Sequence, residues 1–381
     1  MHKRHIFFYK LIRPLAIIFL YIKFGYTFKV AKNLPERYIV LSNHTTDFDF
    51  LMLAASFPQQ MYFVGSEHVA RWKWLYGILC YLTGFITRSK GTTASSTVLE
   101  MLRAVRNGSN VCLFAEGARC WDGVTGPILP STGKMIQKAR CGLVTYRIEG
   151  GYFASPRWAG AASRRGRVFG SPVNVYTPEQ LSAMTAAEVN AAICQDLHED
   201  AYARQALSPA RYTSKSPAEG MESMLFICPQ CGAVETLSSQ GDTVSCSACG
   251  LSFRYDQYGM LAGLPFRTVQ ELYNWQKEQV ERAVGTDVCY TAGNATLSTV
   301  SGHEETLVTQ GPVTMTCDSL TCGERTFPLE QITNLSMHGR WGIVFTASDG
   351  YYELKVDKQF NALKFQLLYD ACKKAVHNKS L

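Results

Sequence analysis

The residues best placed to do chemistry lie in Ser42-Asn43-His44-Thr45-Thr46-Asp47-Phe48-Asp49. A histidine can take a proton near neutral pH, and a carboxylate can hold its ring and stabilise the resulting imidazolium. His44 and Asp49 offer that pairing at an awkward spacing. On a regular helix, five residues at about 100° each put two side chains roughly 140° apart. A meeting therefore requires the loop to fold back onto the first turn of a following helix. The competing interpretation is an N-cap loop, with Thr45, Thr46 or Asp47 capping and His44 merely exposed. A second chemical group is Cys228-Pro-Gln-Cys231-Gly232 with Cys246-Ser-Ala-Cys249-Gly250, two CxxC pairs with 14 residues between them. That spacing is a zinc-ribbon signal: four thiolates around one structural zinc, each knuckle followed by a glycine that permits the tight turn.

Two more motifs follow His44, each at the end of an apolar run: Gly84-Phe85-Ile86-Thr87-Arg88, then Leu113-Phe114-Ala115-Glu116-Gly117-Ala118-Arg119. The ordered set, over about residues 30 to 205, resembles the glycerolipid acyltransferases of the lysophosphatidate acyltransferase (PlsC-like) superfamily. Their pattern is Asn-His-x4-Asp, then Gly-x-x-x-Arg, then Phe-Pro-Glu-Gly-Thr-Arg. The resemblance implies transfer of a fatty acyl group from an acyl thioester, acyl-CoA or acyl-ACP, to the hydroxyl of a lysophospholipid, by default 1-acylglycerol 3-phosphate. It implies His44 as base with Asp49 as its orienter, and Arg88 and Arg119 on the acceptor phosphate. Thr87 and Lys90 lie close enough in sequence to assist. Glu116 would position the acceptor or support the arginines, and Gly117 would let the backbone come close to substrate. Against these stand simpler interpretations: Arg88 as a solvated strand end, and Glu116 with Arg119 as a surface ion pair. The chain departs from the pattern at Ala115, at Ala118, and in Val144-Thr-Tyr-Arg147-Ile148, which lacks the usual proline. Those departures leave glycerol 3-phosphate or another lysophospholipid open as acceptor.

The elements that must position these residues alternate. Tyr38 to Leu41 and Val111 to Phe114 are buried-strand runs, and residues of about Phe48–Phe57, Val69–Leu82 and Thr92–Arg106 are helical. Further strand-like runs and a capping box at Thr185–Glu188 complete an α/β pattern, a mixed sheet covered by helices. The expected organisation is a membrane-associated N-terminal helix at 1–33, the acyltransferase domain at 34–205, a linker at 206–224 and the zinc ribbon at 225–262. A connecting helix at 263–284 and a β-rich domain at 285–381 follow. The last segment combines antiparallel runs, a Ser348-Asp349-Gly350 hairpin turn and a C-terminal helix from about Phe360 to Val376. Its topology is similar to a pleckstrin-homology-like fold.

With 381 residues the chain can hold several cores. The formal net charge is +7 and its placement is uneven. Lys3, Arg4, Lys10, Arg13, Lys23, Lys29 and Lys32 fall in the first 35 residues with no acid among them. The remainder is near neutral, so no nucleic-acid partner is expected. The longest uncharged run there, Pro14 to Ile22, is nine residues, well under the ~20 of a spanning helix. That composition predicts a helix lying on an anionic membrane surface, peripheral or monotopic, on the cytoplasmic face. Nine scattered cysteines beyond the four in CxxC pairs suit a reducing cytosol. An alternative function is a membrane-docked adaptor that displays the ribbon and C-terminal module to a protein partner. Retention of both His44 and Asp49 counts against it.

Overall fold

Tyr38–Ser42 (β2) is buried at every residue, as an apolar strand covered on both faces must be. The computed structural model describes residues 3–66, 81–88, 94–160, 162–301, 304–339, 342–356 and 361–379. Most of the helix expected at Val69–Leu82 lies outside them. The chain divides into two compact units: Met1–Arg157 with Ala161–Ser214, and Trp158–Gly160 with Lys215–Leu381.

In the first unit β2 is joined by β1 (Tyr26–Phe28), β3 (Met61–Ser66), β4 (Ile86–Arg88), β5 (Asn110–Phe114), β6 (Gly142–Glu149) and β7 (Val168–Tyr176), in the order β1-β7-β6-β2-β5-β3-β4. Among the described residues only the β6–β7 pair is antiparallel, so the sheet is mixed. Helices α1 (Lys3–Phe24), α2 (Asp49–Ser56), α3 (Ala94–Arg106), α4 (Ser131–Ala139), α5 (Gly151–Ala154), α6 (Pro178–Ala183), α7 (Ala186–Leu197) and α8 (Ala201–Leu207) accompany it. Ile39, Leu41, Val111 and Leu143 of the sheet share one core with Met101 and Val105 of α3, Ile136 of α4 and Val189 and Ile193 of α7. Thr185 and Glu188 form the reciprocal cap that starts α7. Gly133 sits where α4 meets α7 so closely that a Cβ would lie 2.1 Å from the Ala186 carbonyl oxygen.

The N-terminal segment departs from expectation. Lys3–Phe24 is one 22-residue helix running through Pro14. Its length and composition suffice to cross a membrane, because Lys10 and Arg13 interrupt the apolar run without interrupting the helix. One face of α1 is committed inward. Tyr9 donates to the carbonyls of Ala54 (2.7 Å) and Phe57 (2.8 Å), and Arg13 Nε donates to Ala55 O at 3.0 Å. The opposite face leaves Phe7, Leu11, Leu15, Ile18 and Ile22 exposed by 57–65%.

In the second unit, β8 (Leu237–Gln240), β9 (Thr243–Cys246), β10 (Ser252–Tyr255) and β11 (Leu261–Ala262) make a small antiparallel sheet. Helix α9 (Val269–Ala283) follows, capped by Thr268. An antiparallel sheet then contains β12 (Tyr290–Ser301), β13 (Glu304–Met315), β14 (Ser319–Cys322), β15 (Arg325–Pro328), β16 (Thr333–His338), β17 (Gly342–Ala347) and β18 (Gly350–Val356), closed by α10 (Ala362–Lys379). Two buried polar side chains tie these parts together. Gln276 of α9 accepts from the Phe226 and Ile227 amides and donates to Met224 O. Lys364 of α10, 1% exposed, donates to Thr291 O and pairs with Glu235, each at 2.5 Å. Within 206–224, Tyr212 is buried in the first unit, and Met221 and Met224 are buried in the second.

Candidate active site and metal centre

The loop that leaves β2 brings His44 and Asp49 together. His44 Nδ1 lies 2.9 Å from Asp49 Oδ2, with His44 23% exposed and Asp49 fully buried. Asp49 is the first residue of α2, and the loop folds back over it, as the spacing required. The alternative of a side-chain cap is not what forms. Phe48 occupies the N-cap with no side-chain cap, and the two threonines serve Asp49 instead. Its carboxylate accepts from Thr45 N (2.6 Å) and Oγ1 (3.2 Å), and from Thr46 N (3.0 Å) and Oγ1 (2.7 Å). Such a set of donors fixes the carboxylate in place. With Nδ1–H donating to Asp49, the Nε2 lone pair is the basic one.

The sheet register supplies the rest. Ser42 is aligned with Phe114 of β5 and with Tyr146 of β6, so the residues just past the ends of β2 and β5 share one edge, beside the continuing β6. His44 stacks on Phe114 with centroids 4.4 Å apart. Asn43, buried, makes a two-way bond to β6, donating to Ile148 O (2.9 Å) and accepting from Ile148 N (2.8 Å). Glu116 accepts from the backbone N–H of His44 and of Gly126, both at 2.6 Å. Burial pushes the Glu116 carboxyl up to about 7, against the lowering by those amides. Gly117 takes the left-handed conformation (φ 72°) that closes this turn, its N–H bonded to Phe114 O.

Glu116 and Arg119 are thus engaged with different partners. Arg119 Nε lies 3.2 Å from Asp47, inside the His44 loop, and its buried Nη1 has no hydrogen-bond partner among the described residues. Arg157 donates to Arg119 O at 2.9 Å and stacks over Trp121. The other basic residues of that region hold carbonyls as well: Arg164 that of Phe153, Arg165 that of Ile22, Arg167 that of Ser208. Thr87 and Arg88 lie on β4, at the sheet edge three strands from β2, or about 14 Å of backbone separation. Their side chains, and Lys90 altogether, lie outside the described residues. Thr45, Thr46 and Asp47, expected as possible caps, instead serve Asp49 and Arg119, while Asn43 and Phe114 lie inside the motifs without a role assigned to them from sequence.

Cys228, Cys231, Cys246 and Cys249 converge, their sulfurs all within 4.8 Å of one another. Cys228 and Cys249 are 3.7 Å apart at sulfur, and Cys231 and Cys246 3.9 Å. Four thiolates at ~2.3 Å around a tetrahedral ion stand about 3.8 Å apart, a spacing these two distances match. Thr236 Oγ1, 3.2 Å from Cys246 Sγ, favours that thiolate and draws the thiol down to about 6.

Residues 26–149 match the Acyltransferase family model. Among solved structures, the chain is similar to PlsC, the 1-acyl-sn-glycerophosphate acyltransferase of Thermotoga maritima. Identity is 17%, coverage 50% of this chain and 78% of that one, and the TM-score 0.39. It is also similar to the N-terminal PH domain of human ARAP2, at 13% identity, 23% and 81% coverage, and a TM-score of 0.18. No curated protein matches the chain.

Proposed function

We propose that the acyltransferase-family domain of this chain moves a fatty acyl group from an acyl thioester, acyl-CoA or acyl-ACP, to the hydroxyl of a lysophospholipid. The default acceptor is 1-acylglycerol 3-phosphate, giving phosphatidate. The observation that carries this is the His44–Asp49 contact at 2.9 Å with Asp49 fully buried. In the reaction, His44 Nε2 takes the acceptor hydroxyl proton as the oxygen attacks the thioester carbonyl. The resulting imidazolium faces the Asp49 carboxylate. The tetrahedral oxyanion collapses, the C–S bond breaks, and the thiolate leaves with the proton that His44 returns. The new ester and the free thiol balance the step. Arg119, whose Nη1 lacks a partner among the described residues, suits a phosphate oxygen. Arg88 is the second candidate for that phosphate, with Thr87 and Lys90 assisting. Glu116 supports the site by holding the His44 amide.

Two further assignments accompany the reaction. The four cysteines hold one structural zinc, supported by their convergence within 4.8 Å, and the ion contributes folding energy to the ribbon at 225–262. The exposed apolar stripe of α1, flanked by lysines, docks the enzyme on an anionic membrane at its cytoplasmic face. The domain plan of the sequence, with its pleckstrin-homology-like C-terminal module, is retained as a proposal, as is a protein partner for that module or the ribbon.

The test is thiol release from acyl-CoA and acyl-ACP by purified protein, with and without a panel of lysophospholipids and glycerol 3-phosphate. Acceptor-dependent release with an acylated product supports the reading. Thioester turnover absent with every acceptor would favour the adaptor instead.

A further inference from the structure

Helix α1 grips α2 at both ends. At the C-terminal end of α2 the last carbonyls have no partner inside the helix. Tyr9 and Arg13 of α1 take up those of Ala54, Ala55 and Phe57, and the Arg13 charge suits the negative end of the helix dipole. At the N-terminal end, Phe48 packs its ring against Phe19 (centroids 5.7 Å apart) and Phe24 (5.3 Å) of α1, with Lys23 Nζ 5.1 Å above it. Phe48 is the N-cap of α2, and the next residue is Asp49. The far end of α1 is itself held, since Phe24 is fully buried and Arg165 Nε donates to Ile22 O at 3.2 Å.

We propose that Phe48 is a positioning residue through which α1 sets where α2 presents Asp49 to His44. The Asp49 carboxylate hangs from the first turn of a short helix, and a shift of the α2 N-terminus moves it directly against the imidazole. The loop residues Thr45 and Thr46 bond Asp49 and so move with it, while the α1 contact, together with Phe50 against Phe63 of β3 (centroids 6.1 Å apart) and Asp47 against Arg119, refers the start of α2 to elements outside the loop. A misplacement of about 1 Å between reacting groups can lower a rate by 10²-fold. This role rests on the acyltransferase reading for its kinetic consequence, while its geometric claim stands without it.

The experiment uses the full-length protein with a water-soluble short-chain acceptor and acyl-CoA, so that membrane binding does not enter. Phe48→Ala should lower kcat roughly 10- to 100-fold with little change in acceptor KM. The acidic limb of the pH profile should move to lower pH, because an imidazolium with a looser carboxylate partner is less stabilised. Phe48→Leu should restore most of the rate, and Phe19→Ala, outside the motif loop, should reproduce part of the loss. A general loss of folded protein would scale the rate at every pH without moving the limb. Substrate-free NMR of 15N-histidine-labelled protein reads the geometry independently. The His44 Nδ1–H resonance, downfield when bonded to Asp49, should move upfield in Phe48→Ala and Phe19→Ala and stay in Phe48→Leu. An unchanged resonance in folded Phe48→Ala overturns the proposal. Inactive wild-type protein with the expected resonance shifts sinks the acyltransferase reading alone.

Discussion

Glu116 Oε1 lies 2.6 Å from the backbone nitrogen of His44, and the second carboxylate oxygen lies 2.6 Å from that of Gly126. A side chain 72 residues away thus pins the backbone of the proposed base. The contact exists because β2 and β5 are parallel neighbours with Ser42 level with Phe114, so both chains turn at the same edge.

Burial of this carboxyl makes stability pH-dependent in a defined window. The Glu116 carboxyl is raised from 4.5 to about 7, chiefly by burial. The folded state therefore holds the proton more tightly than the unfolded chain. The stability this contributes is complete below pH 4.5 and is lost as pH rises to about 7. At ~1.4 kcal/mol per unit it is on the order of 3 kcal/mol. Glu116→Gln should lack this decline, while losing about 1–3 kcal/mol because one of the two amides meets no acceptor. Thermal melts of both proteins from pH 4 to 8 test it. Parallel profiles would contradict the assignment.

Thr46 Oγ1 donates to Asp49 at 2.7 Å and accepts from Phe48 N at 3.0 Å. Thr46→Val removes both bonds beside a buried carboxylate, and should cost about 1–3 kcal/mol of stability. Its kcat should fall more than its acceptor affinity, since the group would orient the proposed dyad rather than hold substrate. Thr46→Ser keeps the hydroxyl and should stay near wild type. Equal losses in the serine and valine variants would argue against the hydrogen bonds.

Metal analysis should return one zinc per chain. Zinc binding in small modules is worth on the order of 10 kcal/mol of folding free energy. Chelation should therefore release the ribbon and expose Cys228 and Cys246 to thiol reagents, both buried here. Metal-free protein in which those thiols stay protected would contradict the site.

Replacing Leu11, Leu15 and Ile18 together by Gln should release the protein from anionic vesicles. Each exposed side chain would bury ~1.5–3 kcal/mol against lipid, so the triple change should weaken partitioning at least about 100-fold. The inward side chains Tyr9 and Arg13 are untouched, so the melting temperature should hold. Added salt should weaken wild-type binding by screening. Unaffected binding of the variant would place the lipid contact elsewhere, and cleavage of the N-terminus by protease confined to the far side of the membrane would show a spanning helix.

Much of the fold is written in local pattern. The apolar runs at Tyr38 and Val111 declare strands buried on both faces, and Thr185–Glu188 declares a helix start. The CxxC spacing declares its cluster because ligand and turn are neighbours in sequence. What local pattern omits is whatever register decides. Glu116 meets the His44 amide only through strand order, and Thr45 and Thr46 look like caps until the loop turns back on Asp49. Strand β12, rich in Thr, Ser, Ala and Gly, shows little alternation and is held by pairing with β13 on one side and β18 on the other. In α1 the charges at Lys10 and Arg13 shorten the apolar run without breaking the helix, and Arg13 finds its use on α2.

His44 is proposed as the base of an acyl transfer. The most direct measurement is the turnover of acyl-CoA with 1-acylglycerol 3-phosphate, followed as both free thiol and diacyl product, in wild type and His44→Ala. His44→Ala should lose about 10² to 10⁴-fold in kcat, with vesicle binding and zinc content unchanged. Near-wild-type turnover by folded, zinc-loaded, membrane-bound His44→Ala would contradict it.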